Sequence, residues 1–199
     1  MERTGILFVI SGPSGVGKGT VKDAVLKRLT DIKVSISATT RPPRTGETNG
    51  EDYFFISHEE FQTMYQNGEF LECAKVYDNM YGTPEFFVKN NLLNGFDVLL
   101  EIDIQGAMQV KEKMPQGVFI FIEPPSIEEL ALRICKRGKD SEDSIKKRMA
   151  ACSEEMEHSR YYDYLVMNDD LQEAVDKVYA IIVAERCRIR NNIEGVIGS

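Results

Sequence analysis

Only two histidines, His58 and His158, occur in 199 residues, so the side chain that most often moves protons near neutral pH is nearly missing. A histidine-based triad has little to stand on. The four cysteines, Cys73, Cys135, Cys152 and Cys187, lie far apart with no CxxC pair. Zinc spacing is absent, and a chain this long gives no sign of a disulfide framework; reduced thiols in or near a core fit better. Positive charge is in deficit, with 24 Lys and Arg against 32 Asp and Glu and a formal net charge of −8. A general nucleic-acid surface needs clustered cations to displace counterions, so no nucleic-acid partner is expected. The first apolar run, residues 6–10, is too short for a signal-peptide core or a membrane span. No N-x-[ST] acceptor occurs either. These absences predict a cytoplasmic chain without a membrane partner, whose chemistry rests on arginines, carboxylates and hydroxyls.

The most informative segment is GPSGVGKGT, residues 12–20. ILFVI before it is continuous and β-branched-rich, as a strand buried on both faces should be. After it, Val21, Ala24, Val25, Leu26 and Leu29 recur at helical spacing. A strand that turns through glycines into a helix makes an anion cradle, and Lys18 adds a full charge. The cradle would take a nucleoside triphosphate, through Gly12, Pro13, Ser14, Gly15, Val16, Gly17, Lys18, Gly19 and Thr20. A tight strand-to-helix turn with a solvated lysine is the plain alternative. Gly19 stands where the motif wants the Ser or Thr that reaches Mg²⁺, and Thr20 follows one place later. A water can replace that hydroxyl, because Mg²⁺ keeps several waters.

Strand-like runs recur at 6–10, 34–37, 53–56, 70–76, 98–102, 118–122 and 164–167. Helical patterns fall near 19–30, 58–66, 84–94, 105–113, 126–137, 142–161 and 170–190. Ser57 with Glu60, Ser126 with Glu129 and Asp170 with Glu173 mark three helix starts. The alternation predicts an α/β fold, a mostly parallel sheet flanked by helices. Between about 35 and 90 short strands and turns crowd together, which predicts a small α+β insertion; residues 1–34 and 91–199 would form the core. A polar stretch at 138–144, within a region of about 135–150, reads as a lid, and 191–199 as a frayed tail.

In residues 35–55, Arg41 and Arg44 flank two prolines that stiffen the chain between them. Planar guanidiniums on a rigid spacer suit a phosphate, and Tyr53 would add a hydroxyl. A solvated basic turn is the alternative.

GPSGVGKGT, TTRPPRTGETNGEDYFF, the YGTP at residues 81–84, LLEIDIQGA from Leu99 and VMNDDL from Val166 follow one another in order. Together they resemble the guanylate kinase family of P-loop nucleoside monophosphate kinases, over about residues 5–190. The resemblance implies a P-loop NTPase core with a GMP-binding insertion and a lid. It implies transfer from ATP to GMP, and to dGMP as well, with Mg²⁺. It assigns the GMP phosphate to Arg41, Arg44, Tyr53 and Tyr81. Ser37 and Thr83 would donate to guanine O6, Glu72 would accept from N1 and N2, and Asp103 from N2. Gly82 falls in the same substrate-binding set, as does Glu101; Asp103 or Glu101 would hold the metal's waters, and no direct metal ligand is assigned, with Thr20 and Asp103 as candidates. Adenine would set the Glu72 carboxylate against a lone pair. Lys18, Arg41, Arg137 and Arg148 would be catalytic, the last two from the lid with Arg133 one turn before Arg137, and Asn168 would lie near the adenine of ATP.

Plainer readings stay open for several of these. Thr83 sits before Pro84 where a helix cap would, Glu72 ends an alternating strand, Asp103 follows one, and Arg137 precedes Gly138 at a helix end. The GMP phosphate is already an anionic nucleophile at neutral pH, so no general base is needed. Related domains that serve as binding modules lose part of this set; here Gly17, Lys18, Arg41, Arg44 and Arg137 are all present. Another nucleoside monophosphate kinase is the third reading, disfavoured by Glu72, Ser37 and Thr83. The chain would act as a monomer or homodimer.

Overall fold

The computed structural model describes residues 3–76, 78–137 and 155–189. Its centre is a five-stranded sheet of β1 (Leu7–Ser11), β2 (Ile32–Val34), β7 (Asp97–Glu101), β8 (Val118–Glu123) and β9 (Tyr164–Met167). The order is β2-β7-β1-β8-β9, every pair parallel, with Phe8 beside both Leu99 and Val118. Parallel strands need crossovers, and helices supply them on both faces. Alternation along β1 sorts the core. Phe8 and Ile10 pack with Val21 and Val25 of α1 (Lys18–Leu26) and with Val178 and Ile182 of α6 (Leu171–Cys187). Leu7 and Val9 face the other way, onto Val88 and Leu92 of α3 (Glu85–Leu93) and Ala107 and Val110 of α4 (Ile104–Lys113). Both clusters are buried, so each face contributes apolar burial of about 25 cal/mol per Å².

A second sheet, in the order β4-β3-β6-β5, joins β3 (Ala38–Thr39), β4 (Phe54–Phe55), β5 (Phe70–Val76) and β6 (Asn79–Pro84). Phe61 of α2 (His58–Gln66) stacks on Phe70 at 4.5 Å beneath it. Ser57 caps α2 in a reciprocal box with Glu60, as the sequence predicts. The amides of Glu129 and Glu173 likewise bond Ser126 and Asp170 at the starts of α5 (Ile127–Arg137) and α6.

Three expectations change. The strand expected over 34–37 is two strands in two sheets: β2 ends at Val34, Ser35 still bonds Leu99, and β3 starts at Ala38. The strand expected at 53–56 shortens to Phe54–Phe55. Residues 79–84 form a full strand antiparallel to both β5 and β3, although Gly82 and Pro84 argue against one. Gly82 is needed there, since a Cβ would lie 2.9 Å from the Phe70 ring and 3.0 Å from the Glu72 carbonyl. Most of the helix expected at 142–161, the lid and the tail lie outside the described residues; a 3₁₀ turn, His158–Tyr161, leads into β9.

Candidate active site

The site lies where the parallel strands end. β1 stops at Ser11 and α1 starts at Lys18, so GPSGVG forms the turn between them. Gly12 has φ 146°, and a Cβ there would sit 2.2 Å from the Ile122 carbonyl oxygen, so no side chain fits. Gly17 caps α1 at φ 99°, in the left-handed region open to glycine. Val16 is buried in the core and anchors the turn. Lys18 Nζ donates to the carbonyls of Gly12 at 2.7 Å and Pro13 at 3.0 Å, curling its charge over the loop. Glu155 also faces this cradle: burial pushes its carboxyl up, against the pull of Lys18 and the Ser14 amide.

Asn168, expected near the adenine of ATP, lies against the phosphate loop. It is 7 % exposed, and its Nδ2 donates to the Val16 carbonyl at 2.7 Å, bracing the phosphate loop from β9. Arg133, expected with the catalytic arginines, donates to the Asn168 carbonyl at 2.9 Å and pairs with Glu129 at 3.1 Å. Arg133 thus reaches the loop through Asn168. Arg137 is the last residue of α5, but its side chain, and all of Arg148, lie outside the described residues.

Opposite the loop, β5 and β6 carry the residues expected to read a base. Glu72 is 8 % exposed, and its Oε1 accepts the Thr83 hydroxyl at 2.6 Å. Burial raises its pKa, helped by the Asp103 charge and opposed by the Thr83 hydrogen bond. Glu72 is thus not a solvated strand end, and Thr83 does not cap α3, whose N-cap is Pro84. The Thr83 hydrogen expected for a base oxygen is given to Glu72 instead. Asp103 caps α4, its Oδ1 accepting the Gly106 amide at 2.8 Å. A Cβ on Gly106 would lie 3.1 Å from Glu72 Oε2 and 3.3 Å from Asp103 Oδ1, so the two carboxylates converge on that glycine. Ser37 is half-buried just before β3. Two side chains of α4 grip β5 around Glu72: Gln109 bonds both the amide and the carbonyl of Cys73, at 3.1 and 3.3 Å, and Lys113 bonds the Phe70 carbonyl.

The expected phosphate group also assembles. Tyr53 and Tyr81 meet edge to face at 6.0 Å, Gly82 follows Tyr81 in β6, and the Arg41 guanidinium lies 5.4 Å from the Tyr53 ring. Arg44 is exposed at the rim. Arg41 is held by Glu47, a residue the sequence reading passed over. Its only signal there was an acid three places after Arg44 in a turn-rich stretch.

The expected metal position is lean in protein ligands. Thr20 is exposed on the first turn of α1, and Glu101, at the end of β7, is paired with Lys22 at 2.9 Å. A Cβ on Gly19 would lie 3.4 Å from Glu101 Oε1, so that carboxylate covers the point where the missing hydroxyl would start. Among the described residues no three His, Cys, Asp or Glu side chains gather as ligands. Such a donor set fits a hard cation held by phosphate oxygens and water, with Glu101 and Asp103 as acceptors for that water.

A parallel sheet opening through a glycine cradle into a helix, faced by an arginine corner and a carboxylate pocket, defines a P-loop kinase of nucleoside monophosphates. The comparisons agree. The family model described as guanylate kinase matches residues 4–185. The guanylate kinase of Syntrophomonas wolfei is 62 % identical over 96 % of this chain and 98 % of its own length. That of Caldanaerobacter subterraneus is 57 % identical, over 96 % and 93 %. The crystal structure of guanylate kinase from Anaplasma phagocytophilum, 37 % identical, superposes with a TM-score of 0.72 over 94 % of this chain and 89 % of that one. A shikimate kinase from Bacteroides thetaiotaomicron, 14 % identical with a TM-score of 0.50 over 89 % and 98 %, shares the fold alone. The chain belongs to the guanylate kinase family.

Proposed function

We propose that the chain transfers the γ-phosphoryl group of ATP to GMP, and to dGMP, in the cytoplasm. A GMP phosphate oxygen attacks the γ-phosphorus, the bond to the β–γ bridging oxygen breaks, and ADP departs with that electron pair. Residues 35–90 act as the GMP-binding unit and the remainder as the core that takes ATP. No described helix is long and apolar enough to cross a membrane.

The observation that carries the choice of base is the buried Glu72 carboxylate, fixed by Thr83 and standing beside Asp103. Guanine offers N1–H and N2–H donors to two such acceptors, and Ser37 supplies a hydroxyl for O6. Adenine presents a lone pair at N1 and would leave the buried carboxylate unmatched. Arg41, Arg44, Tyr53 and Tyr81 hold the GMP phosphate; Lys18 and the loop amides hold the triphosphate. Asn168 sets the loop's shape on the side where the adenine of ATP would lie. Mg²⁺, its waters accepted by Glu101 or Asp103, would neutralise charge on the triphosphate, and the protein's share is alignment and fixed positive charge. Arg137 and Arg148 would add to that charge.

A coupled assay of ADP release with GMP, AMP, CMP and UMP tests this. GMP should lead AMP by about 10⁴-fold in kcat/KM, the penalty typical of mismatched buried polar groups. A lead of about tenfold or less, the scale of a mere methylene, overturns the assignment of the base.

A further inference from the structure

Glu47 stands in a place that simple electrostatics disfavours. A carboxylate beside an anion site repels the anion, and Glu47 lies within the arginine corner assigned to the monophosphate. Its bonds are nevertheless well formed. Oε1 accepts Arg41 Nη2 at 2.9 Å, and Oε2 accepts Arg41 Nη1 at 3.0 Å. Oε2 also accepts the Arg44 backbone amide at 2.7 Å, and the Glu47 amide returns a bond to the Arg44 carbonyl at 3.1 Å. One carboxylate thus ties together both arginines across Pro42–Pro43. The Arg41 and Glu47 side chains are 12 % and 20 % exposed, far less than most surface ion pairs. Tyr53 and Phe55 flank the guanidinium, with ring centres 5.4 and 5.7 Å away.

We propose that Glu47 is a positioning residue for the monophosphate's phosphoryl group: it fixes the plane of Arg41 and the backbone of Arg44 before the substrate arrives. The inference rests on the reading of this corner as the GMP phosphate site. A bidentate pair sets a guanidinium in one orientation, which a single bond does not. Ordering done in advance is ordering that binding no longer has to supply. Arg41 Nη1 also donates to the Pro42 carbonyl at 2.8 Å, which fixes that edge further. The Nε and remaining Nη2 hydrogens, with the Arg44 fork, are then left for the phosphate. ATP, bound at the other loop, should be insensitive to the change.

Coulomb repulsion and positioning predict opposite signs, so the test is a sign. Glu47→Ala and Glu47→Gln are made in the full chain and compared with wild type in kcat, in KM for GMP and ATP, and in GMP affinity by calorimetry. Glu47→Ala should raise the GMP KM and Kd by about tenfold or more, with kcat and the ATP KM within about twofold, the pattern of lost uniform binding. Glu47→Gln keeps an oxygen for the Arg44 amide and one Arg41 hydrogen, and should recover much of the loss. GMP binding that is unchanged or tighter in Glu47→Ala overturns the proposal, because the acid is then neutral or a competitor. Equal losses for both nucleotides, matched by a lower melting temperature, overturn it too, leaving Glu47 a general loop support. A wild-type chain that fails to turn over GMP would sink the functional reading itself and this role with it, whereas an active wild type with an indifferent Glu47→Ala sinks this role alone.

Discussion

The two ends of the central sheet are built on opposite rules. At the foot, where the strands begin, Asp97 is 1 % exposed, and every charge around it has an answering group. Arg3 reaches it at 2.7 and 2.8 Å, the Ile6 amide at 2.8 Å and Arg186 at 2.7 Å, while Arg186 also takes Asp31 at 3.0 Å. The set ties the N-terminus, the approach to β2 and the last helix to the start of β7. At the mouth, where the strands end, matching is incomplete. The Ser11 and Tyr162 hydroxyls are buried beside each other without a well-formed hydrogen bond, and burial pushes Tyr162 up to about 12. Glu72 is buried with another carboxylate near it. A buried charge that is fully paired holds a fold together; one that is only half answered is shaped for something that arrives. Open α/β sheets place ligands outside the carboxyl ends of their strands, and here the polar imbalance falls at that end.

Substitution at each end should separate activity from stability. At the mouth, Glu72→Gln keeps the shape and the Thr83 partner but replaces an acceptor with an amide. It should lower kcat/KM for GMP by on the order of 10²-fold, the worth of hydrogen bonds to a charged group. Its urea midpoint should hold or rise, since a charge leaves a buried position. A Glu72→Gln protein as active as wild type would remove the mouth from the comparison. At the foot, Asp97→Ala strands two arginines and an amide, and should cost about 3–5 kcal/mol in urea unfolding. Turnover by the folded fraction, assayed well below the melting temperature, should stay close to wild type. A loss of turnover at intact stability would mean that the two ends are not separable.

Much of this was readable in the sequence where a feature depends on neighbours along the chain. The buried run of β1, the glycine turn into α1 and the Ser57 box are local, and periodicity and capping chemistry predict them. The order of motifs likewise brought Arg41, Tyr53, Glu72 and Tyr81 into one site. Partners set by tertiary contact were not readable. Asn168 and Val16 are 152 positions apart, and nothing local says that the amide braces the loop. The sequence reads Thr83 as a base-pocket hydroxyl, with a helix cap as the plainer alternative because Pro84 follows it; strand pairing turns that hydroxyl to Glu72 across the β5–β6 register. β6 itself was hidden by Gly82 and Pro84, which break isolated strands but are tolerated where a ring packs close and the strand runs into α3. Glu47 escaped notice because an acid in a basic loop reads as solubility until its distances are known.

The smallest expected effect sharpens the comparison within the site, between two carboxylates with opposite pH behaviour. Burial, then the Asp103 charge, raises Glu72 above the ordinary 4.5, so its native form binds a proton more tightly than the unfolded chain does. The stability that proton adds is fully present below about 4.5 and is lost as pH rises through the native value. Glu47 is the reverse. Arg41, then the Arg44 amide, lowers it, so its contribution is present above 4.5 and is lost as pH falls through its native value. Urea unfolding of wild type, Glu72→Gln and Glu47→Gln across pH 3.5 to 7.5, from about one unit below to about three units above the ordinary carboxylate value, reads both signs. Wild type should lose ground against Glu72→Gln as pH rises, with a slope no steeper than the roughly 1.4 kcal/mol per pH unit of one proton. It should gain ground against Glu47→Gln as pH rises out of the acid range. Two differences of the same sign would mean that Glu72 is paired as Glu47 is, and that the mouth holds its charges by the same rule as the foot.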